Sequence, residues 1–524
     1  MSGTNAAGSC ERWGQHEIVL KGPADGNPFL DVELSATFTQ GERSLNVAGF
    51  YDGNGTYRVR FMPLEQGEWK YETRSNRNEL HGKTGSVTAT APSKGNHGPV
   101  RVANKFHFAY ADGTPFKQIG TTCYAWVHQG DELETKTLAS LKAAPFNKIR
   151  MCVFPKWYSF NQVEPKHYPF DGTPPDQWDF TRFNPAFWQH LEHRIGQLRD
   201  MNIEADLILF HPYDTGHWRF DRMDAAADDR YLKYLVARLS SFRNVWWSMA
   251  NEFDFMKTKV DSDWDRYFQI VCDSDPYDHL RGVHNGKRIY DHNKPWVTHA
   301  SVQNGSAVDD FGRAVLYRDV YYKPIVFDEV EYEGDIPQRW GDLTPEQMTM
   351  CFWHATIGGT YCGHGETYNR PDEILWWSKG GTLHGKSPAR LAFLRKVMEE
   401  GPANGIDPID KWYDMKTAGK AGEYYLIYFA KETPTEWLFE LPKAELAEGM
   451  RFEVDVLDTW EMTVTPVPGE FEIVADHRYR YHAKGLPKVK LPGKPWIALR
   501  ITRVDGAQQF KVEKRSEMAE EMTA

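Results

Sequence analysis

Two carboxylates in this sequence stand where chemistry is commonly placed. Asn251-Glu252 directly follows the apolar run Val245 to Ala250, and Glu329 directly follows the run Ile325 to Asp328. Each run is rich in apolar residues and fits a strand buried on both faces. A carboxylate at the C-terminal end of a buried parallel strand is where barrel enzymes put catalytic groups. Two such acids can divide the work, one as proton donor and the other as ionised partner. The bland reading is that both are strand-end residues in solvated loops, where carboxylates are common.

Other polar residues sit near strand ends. Arg150 lies inside the run Lys148 to Phe154, where an unpaired charge is very costly. It is either a structural ion pair or the group that reaches the barrel centre and holds Glu329 ionised. His211 follows a third strand, and His299 ends what reads as a fifth. His364 and Glu366 lie in GHGETY after an eighth, and Trp376, Trp377 and His384 lie in the loop beyond, a candidate sugar platform. Tyr124 and Trp126, just past the first strand, complete the substrate-binding candidates. The histidines His211, His217, His299, His364 and His384 raise a metal-dependent hydrolase as a rival reading. No HExxH or similarly tight ligand spacing supports it, so no metal and no cofactor is expected.

The elements that position these groups follow from periodicity. Residues 10–95 read as short strands separated by Gly, Pro and Asn turns, including Phe29 to Phe38, and imply a β-sandwich. Residues 100–402 alternate strand and helix patterns, as in a (β/α)₈ barrel. The strands are Phe116 to Thr122, Lys148 to Phe154, Ile203 to Phe210, Val245 to Ala250, Trp296 to Ala300, a sixth within Ala307 to Leu316, Ile325 to Asp328, and Gly359 to Gly363. Residues 405–505 return to β texture and imply a second sandwich. The polar tail 506–524 is expected to be disordered. The fold class is α/β, a TIM barrel flanked by two β-sandwiches.

Composition narrows the function. Aromatics make up 14% of 524 residues, which leans toward carbohydrate, since Trp and Tyr faces stack on sugar rings. A net charge of −11 without any basic run argues against nucleic acid. No stretch reaches the roughly 18 apolar residues of a membrane span. The N-terminus shows no signal peptide, and the six cysteines form no disulfide framework, so a cytoplasmic location is expected. The two β-domains are the candidates for contacts in a homo-oligomer.

With these segments in view, the chain resembles clan GH-A glycoside hydrolases, whose signature is Asn-Glu after strand four and Glu after strand seven. More closely, it resembles apiosidase-like barrels with an N-terminal β-sandwich and a small C-terminal β-domain. The segments that carry this are Gly120-Thr121-Thr122, PYDHLRGVHN (276–285), KPIVFDEVEYEG (323–334), GHGETY (363–368) and ILWWSKGGTLHG (374–385). The resemblance implies a retaining glycosidase without a cofactor, with Glu252 as acid/base, Glu329 as nucleophile and Asn251 on the sugar 2-hydroxyl. The length of the loops after strands four and eight and the lack of a long aromatic track point to a pocket walled by the N-terminal sandwich and the loop 376–385, and so to exo action on an oligosaccharide or glycoside. The rival from another class is a non-catalytic carbohydrate-binding protein on a barrel scaffold.

Overall fold

The computed structural model describes residues 8–214, 216–303, 311–372 and 374–506. Eight parallel strands form its centre. They are β1 (Gly120–Thr122), β2 (Lys148–Cys152), β3 (Glu204–Phe210), β4 (Val245–Ala250), β5 (Arg281–Gly282), β6 (Ala300–Gln303), β7 (Ile325–Glu329) and β8 (Tyr361–His364). The hydrogen-bonded order β5-β4-β3-β2-β1-β8-β7-β6 makes a nearly closed barrel. At the seam between β5 and β6, Thr298 N still donates to Arg281 O at 3.0 Å.

Helices cover the outside, and the sequence marks their starts. Asn184 caps Pro185–Asp200 by accepting from Ala186 N, and Thr344 forms a capping box with Gln347 at the head of Pro345–Ile357. Both helices carry Pro at the first turn, where its missing N–H costs nothing. The connection between β5 and β6 contains no helix. This is where the sequence reading fails. The fifth strand is only Arg281–Gly282, with no apolar run to announce it, and Trp296 to Ala300 instead leads into the sixth. Of the segment expected to hold strand six, 311–316 belong to the helix Phe311–Tyr321, and 307–310 lie outside the described residues. Residues 507–524, expected to be a disordered tail, also lie outside them.

Alternation along β2 decides what fills the barrel. Lys148 and Arg150 point inward. Lys148 Nζ reaches Asp206 Oδ2 on β3 at 2.6 Å and Asp328 Oδ1 on β7 at 2.9 Å. Ser301 on β6 donates to Asp328 Oδ2 at 2.5 Å. Burial works against the charge on Lys148, but its two carboxylate partners outweigh it and hold its pKa above the ordinary lysine value. The barrel is therefore wired by ion pairs directly beneath its C-terminal face. Its lower end is closed by a small antiparallel sheet (Val100–Ala103, His107–Tyr110, Pro115–Phe116), whose Phe108 packs against Trp246 and Tyr361.

The N-terminal sandwich is a sheet folded over itself. Strand Arg43–Tyr51 serves both leaves, pairing Ala48 with Ser35 and then Gly49 with Val59. Phe38 and Phe61 stack between them at 3.9 Å. The expected strand Phe29 to Phe38 is split: Pro28–Asp31 is a helical turn, and the strand begins at Leu34. The sandwich docks on barrel helices through buried ion pairs, Arg238 with Asp52 at 2.9 Å and Arg60 with Glu192 at 2.6 Å.

The C-terminal sheet uses the two faces of Tyr424–Tyr428 for two cores. Tyr424, Leu426 and Tyr428 join the barrel's apolar core, while Tyr425 and Ile427 join the sheet's own. Tyr428 stacks on Trp353 of the helix Pro345–Ile357.

Candidate active site

The run VWWSMA is buried along its whole length as β4, and it delivers Asn251 and Glu252 to the C-terminal face. The chain turns at once: Glu252 has φ 48° and ψ 54°. This left-handed conformation costs a non-glycine residue about 1–2 kcal/mol, and such strain gathers at functional sites. On β7, Asp328 turns down into the ion-paired layer while Glu329, the last residue of the strand, rises to the mouth. Glu252, Glu329 and Asn251 line one cavity of about 440 Å³.

Hydrogen bonds orient the three groups. Arg150 Nη1 donates to Asn251 Oδ1 at 2.5 Å, which leaves the Asn251 amide nitrogen for a ligand. Tyr124 Oη donates to Glu329 Oε1, and Arg150 Nη1 lies 3.6 Å from the same oxygen. Glu252 Oε2 is buried without a hydrogen-bond partner.

The electrostatics correct one expectation. Arg150 does approach Glu329, but it does not depress that carboxyl. Burial wins and pushes Glu329 up to about 8. Glu252 is also raised, again by burial, with Lys156, then a hydrogen bond from Gln303, then Arg150 pulling the other way. The neighbouring acid that adds to its rise is Asp254.

A stability prediction follows, with its sign. An unfolded Glu329 ionises near 4.5, whereas the folded one keeps its proton to about 8. The group's contribution is therefore greatest below 4.5 and is lost as pH rises toward 8. Glu329→Gln removes that loss, so the variant should gain about 1–3 kcal/mol over the wild type at pH 8 and far less at pH 5. Urea unfolding at the two pH values checks this; a difference independent of pH contradicts it.

Of the other expected site residues, Tyr124 and Trp377 line the cavity. Arg150 acts from behind Asn251. Trp126, His364 and Trp376 lie on the outer side of the strands. Trp126 Nε1 points at Met151, His364 stacks on Phe146, and both His364 Nδ1 and Trp376 Nε1 meet Thr121 Oγ1. Glu366 accepts from the backbone N–H of His384 at 2.7 Å, and neither side chain reaches the cavity wall. His299 precedes β6, so it sits at the opposite end of the barrel, against Phe108 and Trp246. Misplacing strand five had put it at the wrong end. His211 is buried and held near 3 by desolvation and then by Lys156. Its ring spans Phe154 O and Tyr213 N, so it positions Tyr213 in the wall.

The wall contains groups the sequence reading passed over. The segment KWYSF brings Lys156, Tyr158 and Phe160, the end of β6 brings Gln303, and the loop after β7 brings Tyr332, Arg339 and Trp340. Trp377 and Trp340 pack at 4.9 Å. His284 stands below Glu329, its Nε2 3.7 Å from Oε1, and burial followed by Arg150 keeps it neutral. The aromatic density of 157–160 was a usable signal; the rest depended on loop geometry. The N-terminal sandwich, expected to wall the pocket, contributes none of the lining residues, because it docks on the helices at the side.

Residues 102–418 match the family described as apiosidase-like, catalytic domain. The chain belongs to this apiosidase-like family. The apiosidase-like barrel is flanked by matches to two domains of unknown function, DUF5060 over 9–76 and DUF5605 over 412–502. A crystal structure of a candidate glycoside hydrolase from Bacteroides vulgatus is 44% identical, covers 95% of this chain and all of that one, and superposes with a TM-score of 0.92. A glycoside hydrolase family 5 structure from the same organism has 15% identity over 80% of this chain and 96% of that one, with a TM-score of 0.57, and shares the fold. No curated protein matches the sequence. The apiosidase-like enzyme is a glycoside hydrolase, and its substrate is a carbohydrate.

Proposed function

We propose that the enzyme is a retaining, exo-acting glycosidase that works by double displacement with Glu329 and Glu252. The observation that carries this reading is that the acids ending β4 and β7 line one cavity beside Asn251. In the first step Glu329 attacks the anomeric carbon while Glu252 protonates the departing glycosidic oxygen, giving a glycosyl-enzyme. In the second, Glu252 takes a proton from water, which attacks the same carbon and frees Glu329. Asn251, its carbonyl held by Arg150, turns its amide to the sugar 2-hydroxyl.

The hydrogen bonds support this division of labour. Glu329 has a hydroxyl donor and a guanidinium beside it, which favour its charged form. Glu252 has the Gln303 side chain as a hydrogen-bond partner, while its Oε2 has no donor and is open to carry the proton the group must give. Burial raises both carboxyls.

Exo action is supported by enclosure: Phe160, Trp340 and Trp377 stand as a wall across the mouth. Early digestion of a suitable oligosaccharide series should release a single small unit from each chain length, seen by chromatography. A mixed ladder of intermediate lengths at the start would overturn exo action.

A further inference from the structure

Three lysines are buried in this molecule among the described residues: Lys117, Lys148 and Lys156. The first two have oxygen partners. Lys117 Nζ reaches the carbonyls of Pro402 and Ala403 at 2.8 and 3.2 Å, and Lys148 has its two aspartates. Lys156 is different. It is 2% exposed and lines the catalytic cavity, and no oxygen of the described residues hydrogen-bonds or ion-pairs with its ammonium.

What surrounds it instead is aromatic. Its Nζ lies 3.7 Å from the ring centre of Tyr124, 4.1 Å from Tyr213, 4.4 Å from Tyr158 and 5.4 Å from Trp377. These faces attract the cation and fix its position. They offer no acceptor for its three N–H donors. Its acidic neighbour Glu252 acts on it only from beyond ion-pair distance, and a buried ammonium with no acceptor in contact is costly. Arg339, the other cation of the wall, is already paired with Glu331.

We infer that Lys156 is the subsite for a carboxylate on the sugar bound in the cavity, so that the enzyme acts on a glycoside of a uronic acid. The inference rests on the glycosidase reading and adds the substrate class. Sugar hydroxyls could accept hydrogen bonds from Lys156 but would leave its charge uncompensated; a carboxylate does both. There is also a consequence for catalysis. Lys156 is the group that most opposes protonation of Glu252. A ligand carboxylate at Lys156 cancels that pull and lets Glu252 keep the proton it must donate.

The test is isothermal titration of the full-length enzyme at pH 6.5 with D-glucuronate and D-galacturonate, each against its neutral parent, D-glucose or D-galactose. At least one uronate should bind about tenfold or more tightly than its parent. Lys156→Met should erase the preference, and Lys156→Arg should retain it, with circular dichroism confirming that both variants fold. Equal binding of acid and parent, binding of neither, or a preference that survives Lys156→Met overturns the inference. Should neither variant fold, the wild-type comparison alone decides. Sugar release from aryl glycosides, run alongside, separates this from the catalytic reading. Uronate preference without hydrolysis keeps the subsite and removes the catalytic roles. Hydrolysis of neutral glycosides without uronate preference does the reverse.

Discussion

Glu329→Ala should lose kcat/KM by on the order of 10⁵–10⁶-fold, the scale seen when a covalent nucleophile is removed. The loss should be the same on activated and unactivated substrates, because without the carboxylate no glycosyl-enzyme forms and leaving-group quality is irrelevant. Binding should survive, since Asn251 and the aromatic wall remain. The protein should fold, because Glu329 is a buried carboxyl whose charge opposes burial. Steady-state kinetics on two aryl glycosides of different leaving-group acidity measures this. A loss below about a hundredfold, the low end for a proton-transfer group, would assign Glu329 a supporting role.

Glu252→Ala should behave differently, and the contrast matters more than either number. On substrates whose leaving group needs protonation, the rate should fall by about 10²–10⁴-fold, the usual contribution of general acid–base catalysis. On strongly activated aryl glycosides the first step should survive, and the glycosyl-enzyme should accumulate because water lacks its base. Added azide, which needs no base, should then restore turnover and yield the glycosyl azide. A burst followed by a stalled steady state, relieved by azide, is the expected trace. Failure of azide to accelerate the activated substrate would falsify the acid/base assignment. Because Glu252 occupies a left-handed turn, Ala there also carries backbone strain, so the folded fraction should be checked by thermal melting.

How much of this could be read from the chain depended on the length and texture of each element. β4 and β7 announce themselves, because six apolar or small residues run into Asn251-Glu252 and three apolar residues run into Asp328-Glu329. β5 is two residues, Arg281 and Gly282, and nothing in local pattern marks it. Losing it displaced strand six and turned His299 from a residue beneath β6 into an apparent site residue. The inward and outward alternation of β1 and β8 was equally hard to phase. Thr121 and His364 face the helices rather than the mouth, and only the barrel register decides that. The cavity wall from 156–160 and 331–340 lies in loops, whose reach over the barrel is a tertiary property. The charge state of Glu329 was misjudged for a related reason. A nearby Arg150 is visible in the sequence, but burial of the carboxyl is not, and burial is the larger effect.

The most direct test of the central claim is the configuration of the first sugar released. Proton NMR of the anomeric region, recorded within seconds to minutes of adding enzyme to a glycoside of known configuration, follows the product before mutarotation scrambles it. Attack by Glu329 and then by water inverts the anomeric carbon twice, so the first-formed sugar should keep the anomeric configuration of the substrate. If the first product is the opposite anomer, water attacks in a single displacement, Glu329 forms no covalent bond, and the roles given to both glutamates fail.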